Sequence, residues 1–161
     1  MQIDNLVQHI SEAIALYEGY MKKDQKHPGK FISCPNTLAF RHKNPGNIRL
    51  WGKYPRVKGY VIFPTDDIGW ASLYRQVERN INRNLTLREF FMGKLGVYGG
   101  YAPSADGNSP VKYAEFVSAY LRGFTPIVQG IDQVLVDLLS IDGVEDDVTE
   151  DELPEEIVSE A

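Results

Sequence analysis

The chain has little that would assign it to a disulfide scaffold, a metal centre or a membrane. Cys34 is the single cysteine among 161 residues, which excludes an intrachain disulfide and a multi-cysteine metal site. The three histidines are scattered, and neither HExxH nor CxxC spacing occurs, so we expect no metal and no cofactor. No apolar run approaches the roughly 20 residues that cross a bilayer, and residues 1–5 lack the features of a signal peptide.

Cys34 leaves two interpretations open. A reactive thiol needs an activating partner, and His27 and His42 are near it in the sequence. An ordinary thiol in a loop is the simpler alternative, because it needs no such arrangement.

Basic residues are missing from the C-terminal segment. Residues 142–161 contain ten acidic residues and no basic one, which leaves 17 basic and 12 acidic residues over 1–141, a balance of +5. This composition predicts one domain over 1–141 followed by an acidic, disordered tail over 142–161.

Within the basic body, Lys22, Lys23, Lys26 and Lys30 either face an anionic polymer or form a solvated face. No aromatic-interleaved basic stripe indicates nucleic acid.

Hydrophobic periodicity and capping residues predict a mainly helical α+β domain with about five helices. The predicted helices cover residues 4–23, 66–81, 88–94, 110–122 and 126–142. Asp4, Thr65, Ser109 and Thr125 are the expected caps, and Thr86 with Glu89 has the spacing of a capping box. Residues 24–47 are rich in Pro and Gly and are expected to form a loop, whereas 48–63 predict a small β-ribbon.

Glu18 is the first candidate for chemistry. The first helix has an apolar stripe through Ile10, Tyr17 and Met21, and Glu18 lies about 80° from its centre at ~100° per residue. A carboxyl at the edge of a core has a raised pKa and can act as a general acid near neutral pH. Protonation of a glycosidic oxygen requires such an acid. A boundary glutamate paired with a lysine is the alternative that the helix position allows.

Two further segments offer polar and aromatic groups that suit a sugar. One is Asn44-Pro45-Gly46-Asn47-Ile48-Arg49, a Pro-Gly turn flanked by amides and followed by a guanidinium fork. The other surrounds Tyr101, whose flat ring and hydroxyl suit a sugar ring, with Tyr113 downstream. Each segment alone is also typical of an ordinary turn or connecting loop.

Together these segments resemble the lysozyme-like domains of phage virion and mobile-element proteins, which are similar to lytic transglycosylases and lysozymes. The resemblance spans about residues 3–123 and rests on Glu18-Gly19-Tyr20, Arg41, Asn44–Arg49, Phe63, Thr65, Gly69, Ala71, Leu87, Tyr101-Ala102-Pro103, Asn108, Tyr113 and Val117. It implies a lysozyme-like fold with a cleft between the helical body and the β-ribbon. It also implies cleavage of the MurNAc–GlcNAc bond of peptidoglycan, with Glu18 as catalytic acid and then base. The implied substrate-binding or supporting residues are Asn44, Asn47, Arg49, Tyr101 and Tyr113.

The type of reaction and the biological role of the domain are two separate questions. A hydrolase usually needs a second carboxylate, for which Asp66, Asp67 and Asp106 are candidates, but helix-start and turn positions already explain them. A transglycosylase with a single glutamate is therefore favoured. One alternative is a non-catalytic lysozyme-like module of a virion or secretion assembly, with the acidic tail contacting other proteins; another is an inhibitor whose tail mimics nucleic acid. We expect synthesis in the cytoplasm without a signal peptide and delivery to the cell wall, as in a virion.

Overall fold

Four helices share one apolar core in a computed structural model that describes residues 1–139. They are α1 (Ile3–Tyr17), α3 (Asp66–Asn82), α4 (Leu87–Met92) and α5 (Pro110–Arg122). Helix α1 packs against both α3 and α5, and α4 packs against α5. Leu6, Ile10 and Ile14 are spaced along one face of α1 and are fully buried in this core. None of the helices within residues 1–139 has the length and apolarity needed to cross a membrane.

Two short antiparallel hairpins accompany the helices. Strand β1 (Met21–Lys23) pairs with β2 (Phe31–Ser33), and β3 (Arg56–Val57) pairs with β4 (Tyr60–Val61). The second hairpin turns through Lys58 and Gly59, with φ of 56° and 84°, the backbone that a two-residue turn between twisted strands requires. The β3–β4 hairpin confirms the small β-ribbon predicted within residues 48–63. The architecture is therefore mixed α+β and mostly helical, as expected.

The capping residues correctly predicted where α3 and α4 begin. Thr65 Oγ1 accepts a 3.2 Å hydrogen bond from the Ile68 amide at the start of α3. Thr86 and Glu89 form both bonds of the capping box at the start of α4. Helix α5 also begins at the predicted Pro110, although the Ser109 side chain makes no capping bond. Helical spacing in the sequence predicts an inner face of α3 through Ile68, Ala71, Tyr74, Val77 and Ile81. The structure differs, because Leu73 is buried whereas Ala71 and Tyr74 are exposed.

The first helix is shorter than predicted. It ends at Tyr17, not at residue 23, because Gly19 adopts a φ of 80° that stops the helix and leads into β1. Its N-cap is Gln2 and not Asp4, and Met21 belongs to β1.

The segment predicted as a loop over 24–47 also contains regular structure. It includes β2 and the one-turn helix α2 (Leu38–Arg41), which is capped by the Thr37 hydroxyl. Elements of three or four residues are too short to produce a periodic signal.

The helix predicted from Pro126 does not form as expected. Residues 126–135 are turns and irregular backbone, with a bridge between Val134 and Thr86, and only 136–139 are helical. The reason is that this backbone bonds to other segments: the Arg88 amide donates to Ile131 O, and the Leu135 amide donates to Leu85 O. Tertiary hydrogen bonds thus replace the helical ones. The predicted end of this helix and the acidic tail lie outside the described residues.

Candidate active site

Glu18 lies where α1 ends and the chain turns towards β1. Its amide donates a 2.9 Å hydrogen bond to Ile14 O and so completes the last helical turn. The next residue, Gly19, has its carbonyl held by the Thr37 hydroxyl at 2.8 Å. The Glu18 backbone is therefore fixed from both sides, and its side chain lines a cleft.

Two donors from distant parts of the chain hold the Glu18 carboxylate. Asn47 Nδ2 donates to Oε1 at 3.0 Å, and the Tyr113 hydroxyl donates to Oε2 at 2.7 Å. Asn47 comes from the loop that follows α2, whereas Tyr113 belongs to α5. Because each carboxylate oxygen receives one bond, the orientation of Glu18 is set before any ligand arrives.

The surroundings of Glu18 raise its pKa above the ordinary glutamate value of 4.5. Burial is the largest cause, because it disfavours the charged carboxylate. The hydrogen bonds from Tyr113 and Asn47 and the charge of Arg49 lower the pKa and offset part of this effect. Glu18 therefore keeps a proton at a higher pH than an exposed glutamate does, as a general acid requires.

Asn44, for which the resemblance implies either substrate binding or support, is not among the residues that line the cleft. It is fully buried, its Nδ2 donates to Ile48 O and to Val61 O, both at 3.0 Å, and its Oδ1 accepts from the Ile48 amide at 2.9 Å. Its amide is thus used within the protein. Asn44 joins the loop to β4 and so positions Asn47.

The two polar atoms of the Asn47 amide group have different surroundings. The φ of Asn47 is 47°, a left-handed conformation that asparagine tolerates better than most residues. Its Nδ2 is engaged by Glu18, whereas its Oδ1 is buried and has no hydrogen-bond partner among the described residues. An unpaired buried acceptor carries a desolvation cost, and because this oxygen has almost no exposed surface, Asn47 acts at the site through its bond to Glu18.

Tyr101 and Tyr113 have different places at the site. Tyr113 is 2% exposed and its ring stacks between Tyr17 and Phe91, with centroids 3.9 and 4.2 Å away. It holds Glu18 and is not placed to contact a sugar. Tyr101 is half-buried, lines the cleft, and donates a hydrogen bond to the carbonyl of Gly46. Burial raises the pKa of both phenols well above 10, so both remain neutral donors.

The cleft has a volume of about 260 Å³ and brings together most of the predicted site. Glu18, Asn47, Arg49 and Tyr101 all line it, and the exposed Arg49 guanidinium lies 5.0 Å from the Tyr60 ring. Further lining residues are Gly46, Ile48, Leu50, Tyr60, Gln76, Tyr98, Gly100, Ala102, Pro103, Asp106 and Asn108.

Several of these lining residues were not predicted as site residues. Gln76 Nε2 donates to the Tyr98 hydroxyl at 3.4 Å, and Gln76 Oε1 is buried without a partner among the described residues. A glutamine within a helix pattern is typical of a solvated face, so the sequence contained no signal for it. Tyr60 belonged to the predicted ribbon, but the pattern alone did not place its ring beside Arg49.

One of the three candidate second carboxylates shares the cleft. Asp106 ends a short 3-10 helix, Ser104–Asp106, and is exposed at the cleft. Asp66 and Asp67 instead occupy the first turn of α3 and do not line the cleft, and Asp66 accepts a 2.7 Å hydrogen bond from Tyr20. The single-glutamate interpretation therefore has one remaining competitor, Asp106.

The described residues provide no second catalytic arrangement around Cys34. No hydrogen bond joins Cys34 to a histidine within residues 1–139; His27 bonds to Asp24 at 2.7 Å, and His42 is buried. Over the same residues, no group of three or more His, Cys, Asp or Glu side chains is placed to hold a metal ion.

Comparison of the chain with known proteins finds no match among family models, curated proteins or solved structures. The functional interpretation therefore depends on the geometry of the cleft and on the sequence resemblance.

Proposed function

We propose that this protein cleaves the MurNAc–GlcNAc bond of peptidoglycan, with Glu18 as the catalytic acid and then base. One observation supports this most strongly. A carboxyl with a raised pKa lines an open cleft, held by Asn47 at 3.0 Å and Tyr113 at 2.7 Å. The same cleft contains Arg49 and Tyr101, which are groups that suit a polar, ring-shaped ligand.

The first step transfers the Glu18 proton to the glycosidic oxygen as the bond to MurNAc C1 breaks. Glu18 then becomes a carboxylate in a partly buried site, where an unsupported charge would be costly. Asn47 and Tyr113 each donate to one of its oxygens, so they stabilise this ionised form. In the second step the MurNAc C6 hydroxyl attacks C1 and returns its proton to Glu18, giving a 1,6-anhydro sugar and restoring the acid.

In this proposal, the residues around Glu18 bind the substrate. Arg49 and Asn108 supply donors at exposed positions of the cleft, and Tyr98 and Tyr101 line its wall. The basic balance of residues 1–141 suits an anionic wall polymer. Because the sequence resembles virion domains, delivery to the wall by a virion or a similar assembly is part of the proposal.

Hydrolysis is the second candidate, and one observation favours it. Asp106 lines the same cleft as Glu18, so a carboxylate is available to activate water or to form a glycosyl intermediate. The products separate the two reactions: a transglycosylase leaves 1,6-anhydro ends, whereas a hydrolase leaves reducing ends. With hydrolysis, Asp106→Asn should also lower turnover, while a transglycosylase should retain most of it.

An assay on purified cell walls distinguishes an enzyme from a non-catalytic binding module. The full chain and its Glu18→Gln variant are added to a peptidoglycan suspension, and turbidity and binding to the sedimented wall are both measured. We expect the full chain to clear the suspension and the variant to bind without clearing it. Wall binding by both proteins with no clearing by either would contradict the enzyme and support the module.

A further inference from the structure

One side of the molecule combines exposed apolar side chains with lysines, and it lies apart from the cleft. It is formed by the β1–β2 hairpin together with neighbouring parts of α1 and α5, and we call it the basic aromatic face. Two depressions of about 600 and 410 Å³ lie on it, and Lys23, Ala119 and Tyr120 line both. None of the residues that line these depressions also lines the cleft.

The face carries several exposed apolar side chains. Three of its large hydrophobic side chains are between 36% and 49% exposed: Phe31, Phe116 and Phe124. Ile32, the next residue of β2, lines an adjoining depression with Lys22, Lys23 and Lys26. The Phe124 ring stacks on His9 with centroids 3.7 Å apart, so it is held in place although half of it meets solvent. A rigid cluster of exposed aromatic side chains is typical of an interaction surface.

The charged part of the face is positive. Lys22, Lys23, Lys26 and Lys30 all belong to the hairpin and its connecting loop, and none forms an ion pair within residues 1–139. Lys23 instead lies 5.5 Å from the centroid of the Tyr120 ring.

The acidic groups of the face are already engaged with other partners. Glu12 bonds to His9 at 3.0 Å and to Tyr120 at 3.2 Å, and Asp24 bonds to His27 at 2.7 Å. The face therefore offers unpaired positive charge beside apolar surface. A complementary occupant is acidic and contains apolar residues.

We propose that residues 142–161 of the same chain dock on the basic aromatic face. This segment has ten acidic residues and no basic one, and Leu153, Ile157 and Val158 supply apolar groups. Opposite charges on segment and face favour the contact, and burial of the apolar groups adds to it.

The covalent connection makes this docking possible within one molecule. The last described residue is Leu139, and 22 residues follow it. Fully extended, they reach about 70 Å at ~3.3 Å per residue, several times the ~14 Å radius of gyration of such a domain. A tethered segment also has a high effective concentration at a face it can reach, which favours its own chain over a second copy. Since the face and the cleft share no lining residue, docking leaves the cleft open and does not depend on the proposed function.

The single cysteine provides a direct probe of this contact. Cys34 follows β2, at the end of the hairpin strand that carries Phe31 and Ile32. A nitroxide attached to Cys34 in the full-length, isotope-labelled chain broadens the amide signals of nearby residues. We expect the signals of residues 145–158 to lose intensity, and to regain it when salt is added, because salt screens the attraction. Unchanged intensities in the segment at low salt would overturn the proposal.

Two controls make the result specific. The charge reversal Lys22→Glu, Lys26→Glu, Lys30→Glu should abolish the broadening, whereas Lys53→Glu, Lys58→Glu, outside the face, should not. With the label moved to Lys53→Cys in a Cys34→Ser background, the segment should keep its intensity.

A mixture of labelled and unlabelled copies identifies the molecule on which the segment docks. If the spin label is on one copy and the isotope on another, no broadening is expected. Broadening in that mixture would overturn docking within the chain and indicate a second copy as partner. Broadening that survives the triple charge reversal would overturn the role of the lysines.

Discussion

The Tyr113 hydroxyl donates a 2.7 Å hydrogen bond to Oε2 of Glu18, which joins α5 to the end of α1 across 95 residues of sequence. The ring of Tyr113 is stacked on both faces, so its hydroxyl has little freedom to move. This bond favours the ionised carboxylate, whereas burial favours the protonated one. The balance between them sets the pH at which Glu18 releases its proton.

Tyr113→Phe should shift the pH dependence of cleavage. The substitution keeps the stacked ring but removes the hydroxyl, whose hydrogen bond lowers the pKa of Glu18. That pKa then rises further, so the alkaline limb of the pH–rate profile should move to higher pH. Tyr101→Phe is the matched control, because its hydroxyl donates to Gly46 and not to Glu18. A Tyr113→Phe profile that overlays the wild-type limb would contradict this role.

Glu18→Gln should stabilise the folded protein at neutral pH. The pKa of Glu18 is raised in the folded state, so its contribution to stability is full below the ordinary value of 4.5 and is lost as the pH rises through the folded pKa. Glutamine does not ionise, and it can still accept from Asn47 and donate to the Tyr113 oxygen. The Tm of the variant should therefore exceed that of wild type more at neutral pH than below pH 4.5. An equal difference in Tm between variant and wild type at neutral and at acidic pH would show that ionisation of Glu18 does not affect stability.

Gly69→Ala should destabilise the domain and disturb the Asn44–Arg49 loop. A Cβ at residue 69 of α3 would overlap the carbonyl oxygen of Lys43 and lie 3.0 Å from Pro45 Cδ. Alanine favours a helix by about 1 kcal/mol over glycine, but this overlap outweighs it, and we expect a loss of about 1–3 kcal/mol in the free energy of unfolding. Urea denaturation measures it.

Gly130→Ala is the control for this steric effect, since among residues 1–139, chain neighbours aside, no atom lies within 4 Å of a Cβ placed there. It should be neutral or stabilise the protein by less than about 1 kcal/mol. Equal unfolding free energies for the two alanine variants would contradict the close contact between α3 and the loop.

Thr86→Ala should weaken the start of α4. Its hydroxyl accepts a 3.1 Å hydrogen bond from the Glu89 amide, and the Glu89 carboxylate accepts a 2.9 Å bond from the Thr86 amide. Loss of this cap should cost about 1 kcal/mol in thermal or urea unfolding. Ser109→Ala serves as the comparison, because Ser109 occupies the same position before α5 without a side-chain bond. If Ser109→Ala costs as much as Thr86→Ala, the capping bond is not the cause.

Local signals predicted the helix starts well and the chain reversals poorly. Thr65, Thr86 and Pro110 mark helix starts through their own chemistry, and α3, α4 and α5 begin there. The end of α1 depends on the left-handed conformation of Gly19. The sequence did not indicate this end, because the apolar spacing of the helix continues to residue 21. The irregular backbone after Pro126 depends on partners such as Leu85, and no local pattern reports those.

The sequence predicted which residues belong to the candidate site better than it predicted the contacts between them. Glu18, Asn47, Arg49 and Tyr101 were expected to share a cleft, and they all line one. The sequence did not decide which tyrosine binds Glu18, because that depends on how α5 crosses α1.

The structure also bears on two other residues. Asn44 was expected to bind substrate or to support the loop, and its side-chain amide bonds to the loop and to β4 inside the core. Asp106, explained as a turn residue, lines the cleft and so keeps hydrolysis open as the second candidate.

Analysis of the muropeptides released from purified peptidoglycan is the direct test of glycan cleavage by Glu18. The full chain, Glu18→Gln and the matched variant Glu12→Gln are compared by mass spectrometry of the soluble products. Glu12 is on the same helix but bonds to His9 and Tyr120 outside the cleft. We expect products with 1,6-anhydro ends from the full chain and from Glu12→Gln, and at least ~10²-fold less from Glu18→Gln, because the general acid is lost. Equal release by Glu18→Gln and the full chain would contradict the catalytic role of Glu18.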